Sequence, residues 1–184
     1  MLSELADLIT RLSDADLHCV VTGGFVRDHI HGLPPKDIDI VVLDSSLYDD
    51  AEQLAQKLRD AGIHVEQTLV GEGSEGHESA IDRSDLCLVI KGEFLGYAVD
   101  VIKFTYPCAT PLEVVAGFDC TLNQCWFDFS TPLQPVRTVG DYPSTEYEFP
   151  NKMIRSVHSD RWAKMQAKFP DHEHTSEGFY LHEL

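Results

Sequence analysis

The chain has 184 residues, 43% of them hydrophobic, with 31 acidic against 14 basic side chains and a formal net charge of −17. That balance argues against broad, non-specific nucleic-acid binding, which rests on Lys and Arg, while leaving room for a local basic groove. The apolar content suffices for one cored domain with a short appendage; no apolar run of about 18 residues exists, and MLSELADLITRL lacks the basic start and apolar centre of a secretory signal, so a cytoplasmic protein (host cytoplasm if phage-encoded) without membrane contact is expected.

Ser3–Ser13 carries Leu5, Leu8, Ile9 and Leu12 at helical spacing, with Ser3 as the expected cap. Leu17–Thr22 reads as a short strand, followed by Gly23-Gly24 and a helix over Phe25–His31 that Gly32 ends. A strand, a glycine pair and a helix start present backbone N–H groups and a positive helix end to an anion. Arg27, one turn in, is within reach of a phosphate, and Asp28 is placed to orient it or to accept from a ribose. Pro34-Pro35 forces an extended entry into the next strand.

That strand is Asp-Ile-Asp-Ile-Val-Val, residues 37–42. Side chains alternate across a strand, so Asp37 and Asp39 share a face. Two neighbouring carboxylates on an apolar strand repel one another and are costly to desolvate. A divalent cation removes both problems, and Mg²⁺ typically takes one or two carboxylates with phosphate oxygens and water.

The combined string from Gly23-Gly24 through Val26-Arg27-Asp28 to Pro34-Pro35-Lys36-Asp37-Ile38-Asp39 resembles the head domain of the CCA-adding enzyme and bacterial poly(A) polymerase family. That family lies in the nucleotidyltransferase superfamily of DNA polymerase β. The resemblance implies an α+β fold, a mixed sheet packed against helices. It also implies template-independent transfer of NMP from NTP to a hydroxyl, with two Mg²⁺ ions (Mn²⁺ as a substitute) and pyrophosphate leaving. Gly23, Gly24, Arg27, Asp28 and Lys36 become nucleotide-binding candidates, and Asp37 and Asp39 metal ligands.

Further along, Tyr48–Ala61 reads as an amphipathic helix stopped by Gly62, and Ile63–Val70 as a strand. Gly71–Ser79 has no apolar residue and reads as a loop. Asp85–Lys91 and Gly96–Phe104 read as strands either side of Gly92-Glu93-Phe94. Asp100 sits inside the second, an acid on an apolar strand that needs a partner. Lys103 would serve as an ion-pair partner; the resemblance instead implies a third metal-binding, catalytic carboxylate there. Thr110-Pro111 marks a helix start.

Phe118–Asp128 is similar to a second family segment, Arg-Arg-Asp-Phe-Thr-Ile-Asn-Ala-x-x-x-Asp. Asp119, Thr121, Leu122, Asn123 and Asp128 match in spacing, which implies nucleotide contacts for Asp119 and Asn123. On spacing alone those two would be helix caps. Gly117 and Phe118 stand where the family carries two triphosphate-binding arginines; Arg27, Lys36 or Lys103 are the cations left to substitute.

Trp126–Phe129 and Gln134–Thr138 are expected to form a hairpin, and Gly140–Pro150 an ordered connector. Asn151–Phe169 reads as a last helix with Arg161, Lys164 and Lys168 on one face, a candidate contact for phosphate or RNA backbone. The tail from Pro170 is polar, expected to be disordered, and its His172 and His174 to be solvated. The five cysteines form no Cys-x-x-Cys pair and are expected as buried thiols. Residues 1–140 are thus read as a nucleotidyltransferase head, and 141–184 as a connector, basic helix and tail packed on or extending from it. The expected partners are an NTP and an RNA (tRNA-like) 3′ end. A protein or small-molecule acceptor, or a non-catalytic nucleotide-binding protein of the same fold, stays open. The family's base-reading string Glu-Asp-x-x-Arg is absent, so ordered CTP/ATP selection is not expected. Oligomeric state is not legible.

Overall fold

The computed structural model describes residues 1–43, 50–70, 86–131, 136–139, 150–154, 157–179 and 181–182. The expected loop 71–79, and residues 140–149 of the expected connector, lie outside these. In chain order the elements are α1 (Leu2–Asp14), β1 (Cys19–Thr22), α2 (Gly23–Ile30), β2 (Asp37–Val42), α3 (Ala51–Asp60), β3 (His64–Val70), β4 (Leu86–Phe94) and β5 (Tyr97–Phe104). Then come α4 (Pro111–Ala116), a 3-10 turn (Thr121–Asn123), β6 (Cys125–Phe127), β7 (Val136–Thr138), β8 (Asn151–Lys152), β9 (Val157–His158), α5 (Ser159–Lys168), β10 (His174–Thr175) and β11 (Leu181–His182).

The first seven strands make one sheet in the order β3-β4-β5-β2-β1-β6-β7. Its only parallel pair is β2 with β5; the others are antiparallel. The alternating side chains of these strands feed two cores. Val21, Ile38, Ile40, Val99 and Val101 meet Leu5, Leu8 and Leu12 of α1, Phe25 of α2 and Leu54 and Leu58 of α3. Each such side chain contributes about 1.5–3 kcal/mol by leaving water. On the other face Val20, Val41, Val89, Ile102 and Phe104 pack under Val114, Val115 and Phe118. That second core covers only one end of its face, and the acids occupy the other end.

Local chemistry sets the helix boundaries. Asp50 caps α3, accepting from the Glu52 and Gln53 N–H groups. Thr110 and Glu113 form a reciprocal capping box on α4, with Pro111 in the first turn. Ser3 does not cap α1; its hydroxyl donates to Glu4 instead.

Other expectations are corrected as well. The turn between β4 and β5 is Leu95-Gly96, both at positive φ (54° and 81°), and not Gly92-Glu93-Phe94. A two-residue turn of this kind matches the twist of the flanking strands. Gly92 serves packing: a Cβ there would fall 2.5 Å from the His64 carbonyl oxygen, beside the bulge in β3. The last helix is also shorter than expected. Asn151 is fully buried in β8, where its side chain accepts from the Leu122 N–H and meets His174 Nδ1 at 3.1 Å. Met153 bridges to Cys120.

The tail is likewise ordered over its described residues. β10 pairs in parallel with β8, and β11 with β9. His174 Nε2 lies 2.8 Å from the Phe169 carbonyl. It therefore donates there while Nδ1 accepts from Asn151, so both ring nitrogens are engaged. The hairpin of β6 with β7 forms as expected. Among the described residues no helix is long and apolar enough to cross a membrane.

Candidate functional site

The parallel pairing of β2 with β5 sets Asp39 directly opposite Asp100, and Asp37 opposite Ala98. Because neighbours in register share a face, the three acids emerge on one side of two hydrogen-bonded strands. Thr22 of β1 lies opposite Asp39, and Lys91 of β4 opposite Asp100. The result is a row across the sheet: Lys91, Asp100, Asp39, Thr22. Lys91 Nζ stands 3.3 and 3.4 Å from the two Asp100 oxygens. Lys36 Nζ is 3.7 Å from Asp37. Among the described residues no three His, Cys, Asp or Glu side chains are gathered as a metal-binding cluster. Shared register sets the acids on one face, and Lys36 and Lys91 each pair with one of the carboxylates. Lys103, three residues beyond Asp100, leaves β5 on the opposite face and is buried, so it is not the partner of Asp100.

Around Asp39 the backbone makes room. Gly23 has φ +67°, and a Cβ there would come 3.2 Å from Asp39 Oδ2 and 3.4 Å from the Phe118 ring. Gly24 follows in the first turn of α2. Thr22 Oγ1, opposite Asp39, is buried without a hydrogen-bond partner. An all-oxygen acid set, an orphaned hydroxyl and a glycine cradle at a helix start fit a hard divalent cation beside an anion. Asp37, Asp39 and Asp100 are the residues that would hold it.

The remaining candidates form a second assembly. Arg27 is buried: its Nε donates to Asp28 at 2.8 Å, and its Nη1 donates to the Asn123 carbonyl oxygen at 2.6 Å. It also lies 5.0 Å from the centre of the Phe169 ring. Asn123 donates to Asp119 at 2.6 Å. Arg161 Nε donates to the other Asp119 oxygen, and Lys168 Nζ to the other Asp28 oxygen at 2.6 Å. Lys168, Asp28, Arg27, Asn123, Asp119 and Arg161 are thereby one chain of charge-assisted hydrogen bonds joining α2, the 3-10 turn and α5. Burial alone pulls the Arg161 guanidinium down; Asp119, with further help from Cys120 and Asp39, holds it above its ordinary value. Arg161 therefore lies within the electrostatic reach of the acid row. Lys164 is exposed on the same helix.

At the far end of α2, His31 packs against Phe169 and His172, ring centres 4.9 and 5.1 Å away. Burial, then the charges of His172 and Arg27, lower its pKa, against a smaller pull from Asp28. A separate cleft of about 600 Å³ opens between α1 and Trp126–Ser130, and none of Asp37, Asp39 or Asp100 lines it.

Lys91 escaped sequence reasoning. Counting outward from Leu95-Gly96 places it opposite Asp100, but Gly92 looked like the turn and hid that count.

No family model and no curated protein matches the sequence. Solved structures do match. A CCA-adding enzyme in complex with CTP aligns with TM-score 0.59 and 17% identity over 94% of this chain and 40% of its own. The Thermotoga maritima CCA-adding enzyme complexed with tRNA gives 0.59 and 18%, over 94% and 39%. A tRNA-processing enzyme with CTP gives 0.51 and 14%, over 80% and 35%. The chain thus spans about two fifths or less of these structures. At this identity the likeness shows the fold: a mixed seven-stranded sheet with helices, of the nucleotidyltransferase type.

Three outcomes are expected. Gly23→Ala forces a left-handed backbone on an L-residue and crowds Asp39, lowering stability by about 1–2 kcal/mol in urea denaturation. Asp28→Ala leaves Arg27 buried beside a lost carboxylate and costs about 3 kcal/mol, with amide exchange rising more in α5 than in β4. For His31 the unfolded chain binds the proton more readily than the fold. Its contribution is therefore intact above the ordinary value of 6.5 and is lost as pH falls from there toward the lowered value. Urea midpoints of wild type and His31→Asn should then converge as pH falls below 6.5.

Proposed function

We propose that the protein is a metal-dependent nucleotidyltransferase that moves NMP from an NTP to a hydroxyl acceptor, an RNA (tRNA-like) 3′ end. The observation that carries this reading is the register of β2 on β5, which stands three acids on one face beside the Gly23-Gly24 helix start. The fold supports it, and so do the ligands in the complexes of the structural neighbours, CTP and tRNA.

In this reading an acceptor oxygen forms its bond to the α-phosphorus as the bond to the bridging oxygen breaks and pyrophosphate departs. Asp37, Asp39 and Asp100 would hold Mg²⁺ (or Mn²⁺), which would supply charge neutralisation for the phosphates and acidify the acceptor hydroxyl. Gly23 and Gly24 offer backbone N–H groups to the triphosphate. Asp100 would also help to activate the acceptor hydroxyl. Arg161, with Lys164 and Lys168 behind it, gives the acid face its nearest basic helix. Lys36 is the exposed cation beside Asp37. Arg27, Asp28, Asp119 and Asn123 act by fixing α5 and the 3-10 turn; their buried hydrogen bonds favour positioning over direct phosphate contact. Catalysis of this kind is mainly placement and charge stabilisation.

One observation favours a second reading, a non-catalytic nucleotide-binding protein. Phe118, at one of the family's two arginine positions, is buried against Gly23. Incubation with each labelled NTP, Mg²⁺, and total RNA or protein separates the two. Label in RNA is expected, and Asp39→Ala should cut it at least about a hundredfold without loss of fold. Label in protein would redirect the acceptor. NTP binding with no transfer to any acceptor would support the second reading.

A further inference from the structure

Lys91 has no role in the reaction just described, yet it sits at the site. Its side chain is 32% exposed and that of Asp100 16%. The cross-strand register fixes the two opposite each other, in the same row as Asp39. An ammonium 3.3 and 3.4 Å from the two Asp100 oxygens competes with a divalent ion held by Asp100 and Asp39, because both are cations drawn to the same carboxylate. The lysine head rides on a flexible four-carbon stem and can leave Asp100 without any backbone change. An anionic triphosphate beside the acids would then be its counter-charge, on a face where Gly117 and Phe118 supply none.

We propose that Lys91 holds Asp100 until a divalent cation takes the carboxylate, and that the released ammonium then binds the triphosphate. The proposal rests on the reading of Asp37, Asp39 and Asp100 as a cation site. It predicts that one substitution moves two affinities in opposite directions. In Lys91→Met, Mn²⁺ titrated alone and followed by electron paramagnetic resonance should bind about three- to tenfold tighter, since a competing charge is gone. In the presence of saturating Mn²⁺, a non-hydrolysable ATP analogue should bind about three- to tenfold more weakly. Lys91→Gln, also neutral but polar, should behave the same way and guards against a folding failure of the methionine variant.

Unchanged affinities, or both falling together with thermal stability, would identify Lys91 as an ordinary cross-strand partner and overturn the proposal. Asp39→Ala is the control. If it binds Mn²⁺ as well as wild type does, the cation-site reading fails and takes this proposal with it. If it loses Mn²⁺ while the Lys91 variants gain nothing, only the proposal fails.

Discussion

The constraint on which much else depends is the burial of Arg27. A guanidinium stays charged at any ordinary pH, so a buried one must find acceptors. It finds Asp28 on its own helix and Asn123 on the 3-10 turn, with Met165 and Phe169 of the C-terminal segment around it. Those acceptors in turn recruit Lys168 and Arg161. One cation therefore ties α2 to two elements far along the chain. It also holds the most basic helix of an acidic protein against α2 and the 3-10 turn. Replacing such a network by apolar residues can be neutral for stability, whereas losing one member is not. The arrangement is best understood as fixing where α5 sits.

The sheet carries a second tension. Strand β2 must feed two cores and a polar site within six residues. Alternation resolves it in part: Ile38 and Ile40 go to the main core, while Asp37, Asp39 and Val41 take the other face. Along that face the change from acid to valine marks where α4 and Phe118 begin to cover the sheet. The site is therefore the uncovered end of a layer whose other end is sealed. The Asp100–Lys91 pair relieves part of the carboxylate repulsion with the protein's own charge.

Much of this was legible in the residues. Alternation around Asp37 and Asp39, the glycine pair before a helix and the acid inside β5 are local signals. They gave the strands near the site their chemistry, while the nucleotidyltransferase fold is what the resemblance of the combined string implies. What was not legible depends on distance. Gly92 reads as a turn because its reason, the His64 carbonyl at a bulge, lies on another strand. Asn151 reads as helical until its side chain is seen bonded to the Leu122 N–H. Arg27 reads as a phosphate ligand and Asp28 as its orienting partner or a ribose acceptor, since nothing nearby in sequence shows that Asn123 and Lys168 already engage them. The polar tail reads as disordered because its pairing partners, β8 and β9, are two-residue strands without a pattern.

Those short parallel pairs have a mechanical consequence. β8 and β9 precede α5, and β10 and β11 follow it, each pairing across the helix. The helix is thus held at its entry and its exit as well as by its side chains. It cannot peel away from one end, because each end is stitched to the other. α5 is thereby anchored through the chain segments on both of its sides, and not only through its own side chains.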